Sequence, residues 1–118
     1  MGMQVGSGKL FDAQVIPAGG SGSVSGYGNI SGKDQITLQL VADDSCTVKI
    51  YYGNGDPTDP NTKWYPSPTT AIASISLTAN TPVSFQERVN AGWVKADIAK
   101  QGAKTPTVTV AFNTKAEQ

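Results

Sequence analysis

Apolar and polar residues alternate along most of this chain, in short stretches closed by Gly, Pro, Asn or Asp. A period of two places successive side chains on opposite faces of a strand, so each stretch reads as a strand with one buried face. In residues 34–42, Ile36, Leu38 and Leu40 share one face, and Thr37 and Gln39 the other. In residues 45–52, Cys46, Val48, Ile50 and Tyr52 point inward, and Thr47, Lys49 and Tyr51 outward. Asp43-Asp44 between them reads as a tight hairpin turn. Further strands are expected over residues 9–16, 71–77, 83–89, 93–99 and 107–113. A short strand starting at 63–65 is cut off by Pro66 and Pro68, which marks it as an edge. Residues 53–62, 78–81 and 90–92 are turn segments, and the polar tail 114–118 is expected to fray. No helical stripe exceeds about two turns. The expected fold is all-β: an antiparallel β-sandwich, jelly-roll or immunoglobulin-like, of about seven or eight strands.

A length of 118 residues fits one domain, enough for a modest core without staples. Within it, residues 1–32 differ from the body, 33–118. They hold one strand with Phe11, Ala13 and Val15 in phase, then PAGGSGSVSGYGNISG over 17–32. So much Gly and Ser cannot fill a core, and the segment reads as a flexible arm reaching a neighbouring subunit or as a long surface loop. The spacing from Gly26 to Gly32 is wrong for a dinucleotide fingerprint, and no helix pattern follows it.

Composition narrows the chemistry. There is no histidine, and Cys46 is the single cysteine. A Ser–His–Asp triad is therefore impossible, zinc lacks its usual ligands, and no internal disulfide forms. Cys46 is in phase with Val48 and Ile50 and reads as a small buried apolar residue. The nine acidic residues fall mostly in predicted turns or on exposed faces, where solvated carboxylates are the norm, so no catalytic residue is assigned and the protein is expected not to be an enzyme. Asn54, Asp56, Asp59 and Asn61 offer oxygens in one loop, but no acidic residue closes a calcium-loop spacing. No metal or cofactor is expected.

Charged residues make up 15% of the chain against roughly 25% in an average soluble protein. Nine basic and nine acidic residues cancel, and the eight lysines and Arg88 are scattered. A nucleic-acid binder carries a basic stripe, so no nucleic-acid partner is expected. A neutral surface offers little repulsion between copies, which suits assembly. No apolar run reaches the ~18 residues of a membrane span, so no membrane is expected. The first residues lack a basic start and apolar core of a signal peptide. The triplet Asn29-Ile30-Ser31 spells a glycosylation acceptor that means nothing without export. The weakly charged, Thr- and Gly-rich composition looks extracellular while the start of the chain looks cytoplasmic. Virion components, made in the host cytoplasm and working outside it, satisfy both.

Exposed aromatics are the remaining candidates. Tyr51, Tyr52, Trp64 and Tyr65 sit near one proline-rich loop, and Trp93 stands apart. Three roles are open to such residues: plugs at the ends of the core, anchors of a protein interface, or a stacking platform for sugars. Phe11, Tyr27, Trp64 and Tyr65 are the interface candidates.

Three stretches carry a resemblance: ISLTANTPVSF from Ile75 to Phe85, GWVKADI from Gly92 to Ile98, and TVTVAF from Thr107 to Phe112. Together they resemble small β-sandwich virion proteins of tailed bacteriophages, of the capsid decoration or cement type, in which a Gly-aromatic-Val-basic strand precedes a loop and a last Thr/Val strand. The likeness covers roughly the last half of the chain and carries over no functional residue. It implies a sandwich, homotrimers or clusters bound to the major capsid protein, and no catalysis. The expected role is a virion decoration protein that stabilises the head by bridging capsid subunits. A carbohydrate-binding module with a glycan partner, and a tail-tube or head-completion protein, are the alternatives.

Overall fold

A computed structural model describes residues 3–19, 22–30 and 34–117, with side chains placed for 6–115 of these. The described residues form nine strands and one short helix: β1 (Met3–Val15), β2 (Ser23–Asn29), β3 (Gln35–Ala42), β4 (Cys46–Gly53), β5 (Tyr65–Pro66), α1 (Thr70–Ala73), β6 (Ile75–Leu77), β7 (Val83–Arg88), β8 (Trp93–Ala99) and β9 (Thr107–Glu117). One sheet has the order β1-β9-β3-β7; the other runs β2-β8-β4-β5, with β6 also on β4.

The pairs β1·β9, β2·β8, β3·β7 and β4·β6 are all antiparallel and nested, as in one long hairpin rolled over itself. Links β1–β2, β2–β3, β3–β4, β6–β7, β7–β8 and β8–β9 each pass from one sheet to the other. That is the jelly-roll arrangement of a β-sandwich, and it selects between the two topologies left open by the alternation.

The core lies between the sheets. Ile36, Leu38, Leu40, Val108 and Val110 from one sheet face Val48, Ile50, Val94, Ala96 and Ile98 from the other. The burial of β3, β4 and β8 alternates as their sequences do. Cys46 is buried in this core, and burial pushes its thiol pKa up.

Five expectations change. Asp43-Asp44 is not a hairpin turn, because β3 and β4 belong to different sheets. The link crosses the end of the sandwich and is tied to the approach of β9: Asp43 N–H donates to the Thr107 carbonyl (3.1 Å), and Thr107 N–H donates to Asp43 Oδ1 (2.8 Å). Residues 71–77 are not one strand; α1 precedes a three-residue β6 and buries Ile72. The last strand does not give way to a frayed tail after Asn113, since β9 continues to Glu117, paired with Met3 of β1, and Thr114 is buried.

The fourth change concerns the Gly/Ser-rich segment, which contains β2 in full register with β8. Ser25 and Tyr27 face out while Gly26 and Gly28 face in. A Cβ on Gly26 would lie 2.1 Å from the Leu10 carbonyl oxygen, and one on Gly28 would lie 2.6 Å from the Phe112 ring. Glycine is thus the inward residue of an alternating strand, at the place where β1 and Phe112 leave no room. Ser31 and Gly32 of the same segment lie outside the described residues, as do Gly20 and Ser21.

The fifth concerns Phe11. It is 1% exposed and packs in the core, so it is not a surface anchor. The register of β1 on β9 shifts between Lys9 and Phe11 and again between Phe11 and Gln14. A bulge sets two residues against one, which lets the neighbours Leu10 and Phe11 both turn inward. At the second irregularity Ala13 takes a φ of 46°, and its N–H donates to Thr109 Oγ1 (3.0 Å).

Candidate functional site: an aromatic face around Lys95

The outer face of the β2-β8-β4 sheet brings aromatic, basic and acidic side chains together. Its register sets Tyr27 opposite Lys95 and Lys95 opposite Tyr51. One step along, Ser25 lies opposite Asp97 and Asp97 opposite Lys49. Alternation puts all six on the solvent side, because their neighbours Val48, Ile50, Val94, Ala96 and Ile98 point into the core.

Trp64 reaches this face from the segment before β5. Lys95 Nζ stands 5.1 Å from the Trp64 ring centre and 4.8 Å from that of Tyr51. Tyr27 also meets Trp64, with ring centres 5.7 Å apart and a 40° tilt. A cation between two aromatic faces is attracted by both ring quadrupoles, by about 0.5–1 kcal/mol each at an exposed site and more where water is excluded. Lys95 also pairs with Asp97 at 3.5 Å, both side chains being only 16% and 20% exposed. Ser25 Oγ donates to the same Asp97 carboxylate. The group is held in place before any partner arrives. Gly53 matters here: a Cβ on it would lie 2.9 Å from the Trp64 ring and 2.8 Å from the Lys63 carbonyl oxygen.

Two of the aromatic candidates, Tyr27 and Trp64, therefore meet on one face. Tyr65 is 63% exposed on the edge strand β5, away from the core. Sequence reasoning missed Lys95 and Asp97. Their signal was the outward phase of residues 93, 95 and 97 on a strand whose even positions are apolar, but no local pattern says that Trp64 folds over them.

A second concavity lies at one end of the sandwich. This cleft of about 510 Å³ opens between the 53–63 loop and residues 89–91, with Tyr65, Pro66 and Pro68 on its wall and Tyr52 at its base. The loop is braced by its own side chains. Asp56 Oδ1 accepts from Thr58 N–H (2.8 Å) and Thr58 Oγ1 (2.7 Å), which holds its carboxyl below the usual carboxylate range. Asp59 Oδ1 accepts from Asn61 N–H (2.9 Å), and Asn54 Oδ1 from Gly92 N–H (2.9 Å). Of the four residues weighed as calcium ligands, Asp56 and Asp59 thus turn an oxygen to the loop's own turns, and Asn54 ties the loop to Gly92. Among the described residues no group of three His, Cys, Asp or Glu stands close enough to hold a metal ion.

Behind the cleft, Glu87 of β7 joins the two sheets. It accepts from Tyr52 OH (2.5 Å), from Ser67 Oγ (2.8 and 2.9 Å to its two oxygens) and from Thr69 Oγ1 (2.9 Å). Burial, then the bond to Glu87, raises the Tyr52 hydroxyl pKa far above its ordinary value. Glu87 is thus a three-hydroxyl clamp, committed to the fold.

No protein-family description matches the chain, and no curated protein matches it in sequence. Among solved structures, the chain is similar to the coat protein of Tobacco streak virus, with 11% identity and a TM-score of 0.48, over 98% of this chain and 86% of that one.

Proposed function

We propose that this protein is a non-enzymatic virion component that docks on a protein lattice through the Tyr27–Trp64–Lys95 face. The supporting observation is that face: aromatic side chains from β2, β4 and the segment before β5 gather round one lysine, which is held by Asp97, itself bonded to Ser25. Rigid aromatic clusters of this kind anchor interfaces, since they bury large area with little ordering cost. Two analogies set the context: jelly rolls recur in viral capsid proteins, and the stretches that resemble phage decoration proteins are β6 to β9 with their links. In the finer form of the proposal the partner is the major capsid protein of a phage head. Bridging adjacent capsid subunits stabilises the assembled lattice by mass action, because only the lattice offers the site.

Gradient sedimentation of particles tests this reading. The protein is expected to co-migrate with heads, heads lacking it should be more heat-labile, and Trp64→Ala should lose co-migration while keeping its strand-type dichroism. Absence from purified particles would sink the proposal. Rings in negative-stain images would favour a tail-tube or head-completion role.

A second reading has its own observation. The braced cleft beside Tyr65 is neutral, rich in amide and hydroxyl groups, and walled by an exposed aromatic ring, which suits a glycan. A glycan array that lights up with the native chain and goes dark with Tyr65→Ala would support it.

A further inference from the structure

Each sheet of the sandwich ends in two edges, and three of the four carry features that block further strand pairing. β1 is twice irregular in register, has Ala13 at a positive φ and presents Lys9 and Asp12. β7 follows Pro82 and ends in Glu87-Arg88. The edge made by β5 and β6 consists of two- and three-residue strands separated by Pro66, Pro68 and α1. β2 differs. Its sequence, SVSGYGN, has no charge and no proline, and its register on β8 is unbroken over all seven residues.

The direction of its backbone groups follows from two bonds that bracket the ladder. Ile30 N–H donates to the Gly92 carbonyl (2.8 Å), and Lys100 N–H donates to the Gly22 carbonyl (3.1 Å). Hydrogen-bonded and non-bonded pairs alternate in an antiparallel ladder, so the even residues of β2 turn their main-chain groups toward β8. Ser23, Ser25 and Tyr27 turn theirs toward the open side.

We propose that two copies of this chain join edge to edge through β2, antiparallel about a two-fold axis at Ser25. Ser25 then faces Ser25 of the second copy, and Ser23 faces Tyr27 of the second copy in both directions. Each such pair exchanges two main-chain bonds, about six in all. The pairing is self-complementary, as a two-fold axis requires. The occupant is a second copy for three reasons. The uncharged strand meets no repulsion from itself, and the chain's net charge is zero. The side chains next to the axis are Val24 and Gly26 on the inner side and serine on the outer, so nothing bulky blocks approach. The pairing also lays the two Tyr27–Trp64–Lys95 faces side by side as one surface across the joined sheets.

The test uses the purified full chain without particles, so its result is independent of the capsid reading. Light scattering during size exclusion, from about 5 µM to about 1 mM, is expected to show a mass rising toward twice the 12.3 kDa chain. Ser25→Pro removes an outward N–H and none of the main-chain β2–β8 bonds, though it also loses the Ser25 Oγ bond to Asp97, and should weaken association at least about tenfold. Ser23→Pro is the second variant, should the first not fold. Ser25→Cys should form a covalent dimer with a short bis-maleimide, each thiol adding across one maleimide double bond, while the native chain, whose one cysteine is buried, should not. A mass that stays at one chain, a three-chain mass, or association untouched by the proline variants with no cross-link from Ser25→Cys, overturns the proposal.

Discussion

Gly26 passes so close under Leu10 that a Cβ on it would stand 2.1 Å from the Leu10 carbonyl oxygen. The obstacle is main chain, set between Lys9 and Phe11, both paired with β9, and cannot swing aside as a side chain would. Gly26→Ala is therefore expected to cost about 3 kcal/mol or more, by forcing the sheets apart. Gly28→Ala meets side chains instead, the Phe112 ring and Leu10 Cδ2. These can shift by changing rotamer, so its cost should be smaller, about 1–3 kcal/mol. Urea denaturation of both variants checks the order; equal costs would contradict the backbone argument.

The Tyr52 hydroxyl gives stability a dependence on alkaline pH. Its pKa in the fold is raised by burial and by Glu87. Above pH ~10 the unfolded chain loses that proton while the folded chain keeps it. The folded state then binds more protons, so stability is full below pH ~10 and falls above it by up to ~1.4 kcal/mol per pH unit. Tyr52→Phe should be less stable at pH 7 and lose this part of the slope. Denaturant melts at pH 8 to 11 on both chains read it out.

Removing the clamp from the other side leaves three hydroxyls without their shared acceptor. Glu87→Ala is expected to cost about 2–4 kcal/mol, and Glu87→Gln less, since an amide oxygen still accepts. Thermal melts followed by dichroism decide this; a loss below about 0.5 kcal/mol for Glu87→Ala would mean the bonds are not the link between β7 and the opposite sheet.

Lys95→Met keeps the stem of the side chain but removes the charge that faces Tyr51, Trp64 and Asp97. The fold should lose about 1–2 kcal/mol, because Asp97 keeps only Ser25 as partner. Trp64 fluorescence should change in intensity and position. An unchanged emission spectrum would mean that Trp64 does not sit over the lysine in solution.

Cys46 should react slowly with a thiol reagent at pH 8 in the native state and at the rate of a free thiol once unfolded, since burial both hides the sulfur and raises its pKa. Fast native reaction would place it at the surface.

Most of the strands were legible because alternation is local: β3, β4 and β8 occur where apolar residues recur every second position. The same reasoning failed on β2, where the inward residues are glycines and carry no apolar signal. It failed on Asp43-Asp44 because a hairpin and a crossing between sheets need the same turn residues. The large aromatic ring of Phe11 suggests an anchor, but the bulge that turns it inward beside Leu10, while Ala13 and Val15 stay exposed, breaks the phase these three share in the sequence.

By itself, the sequence determined an all-β sandwich without histidine chemistry, with a neutral surface and a core made of every second residue, since pleat and composition are properties of the local chain. Only the tertiary structure decided the rolled topology, the meeting of Tyr27 with Trp64 over Lys95 and the clamp at Glu87. Each of these joins residues far apart in the chain through strand pairing, and the partner of a strand is chosen by the packing of the whole sandwich rather than by the strand's own residues.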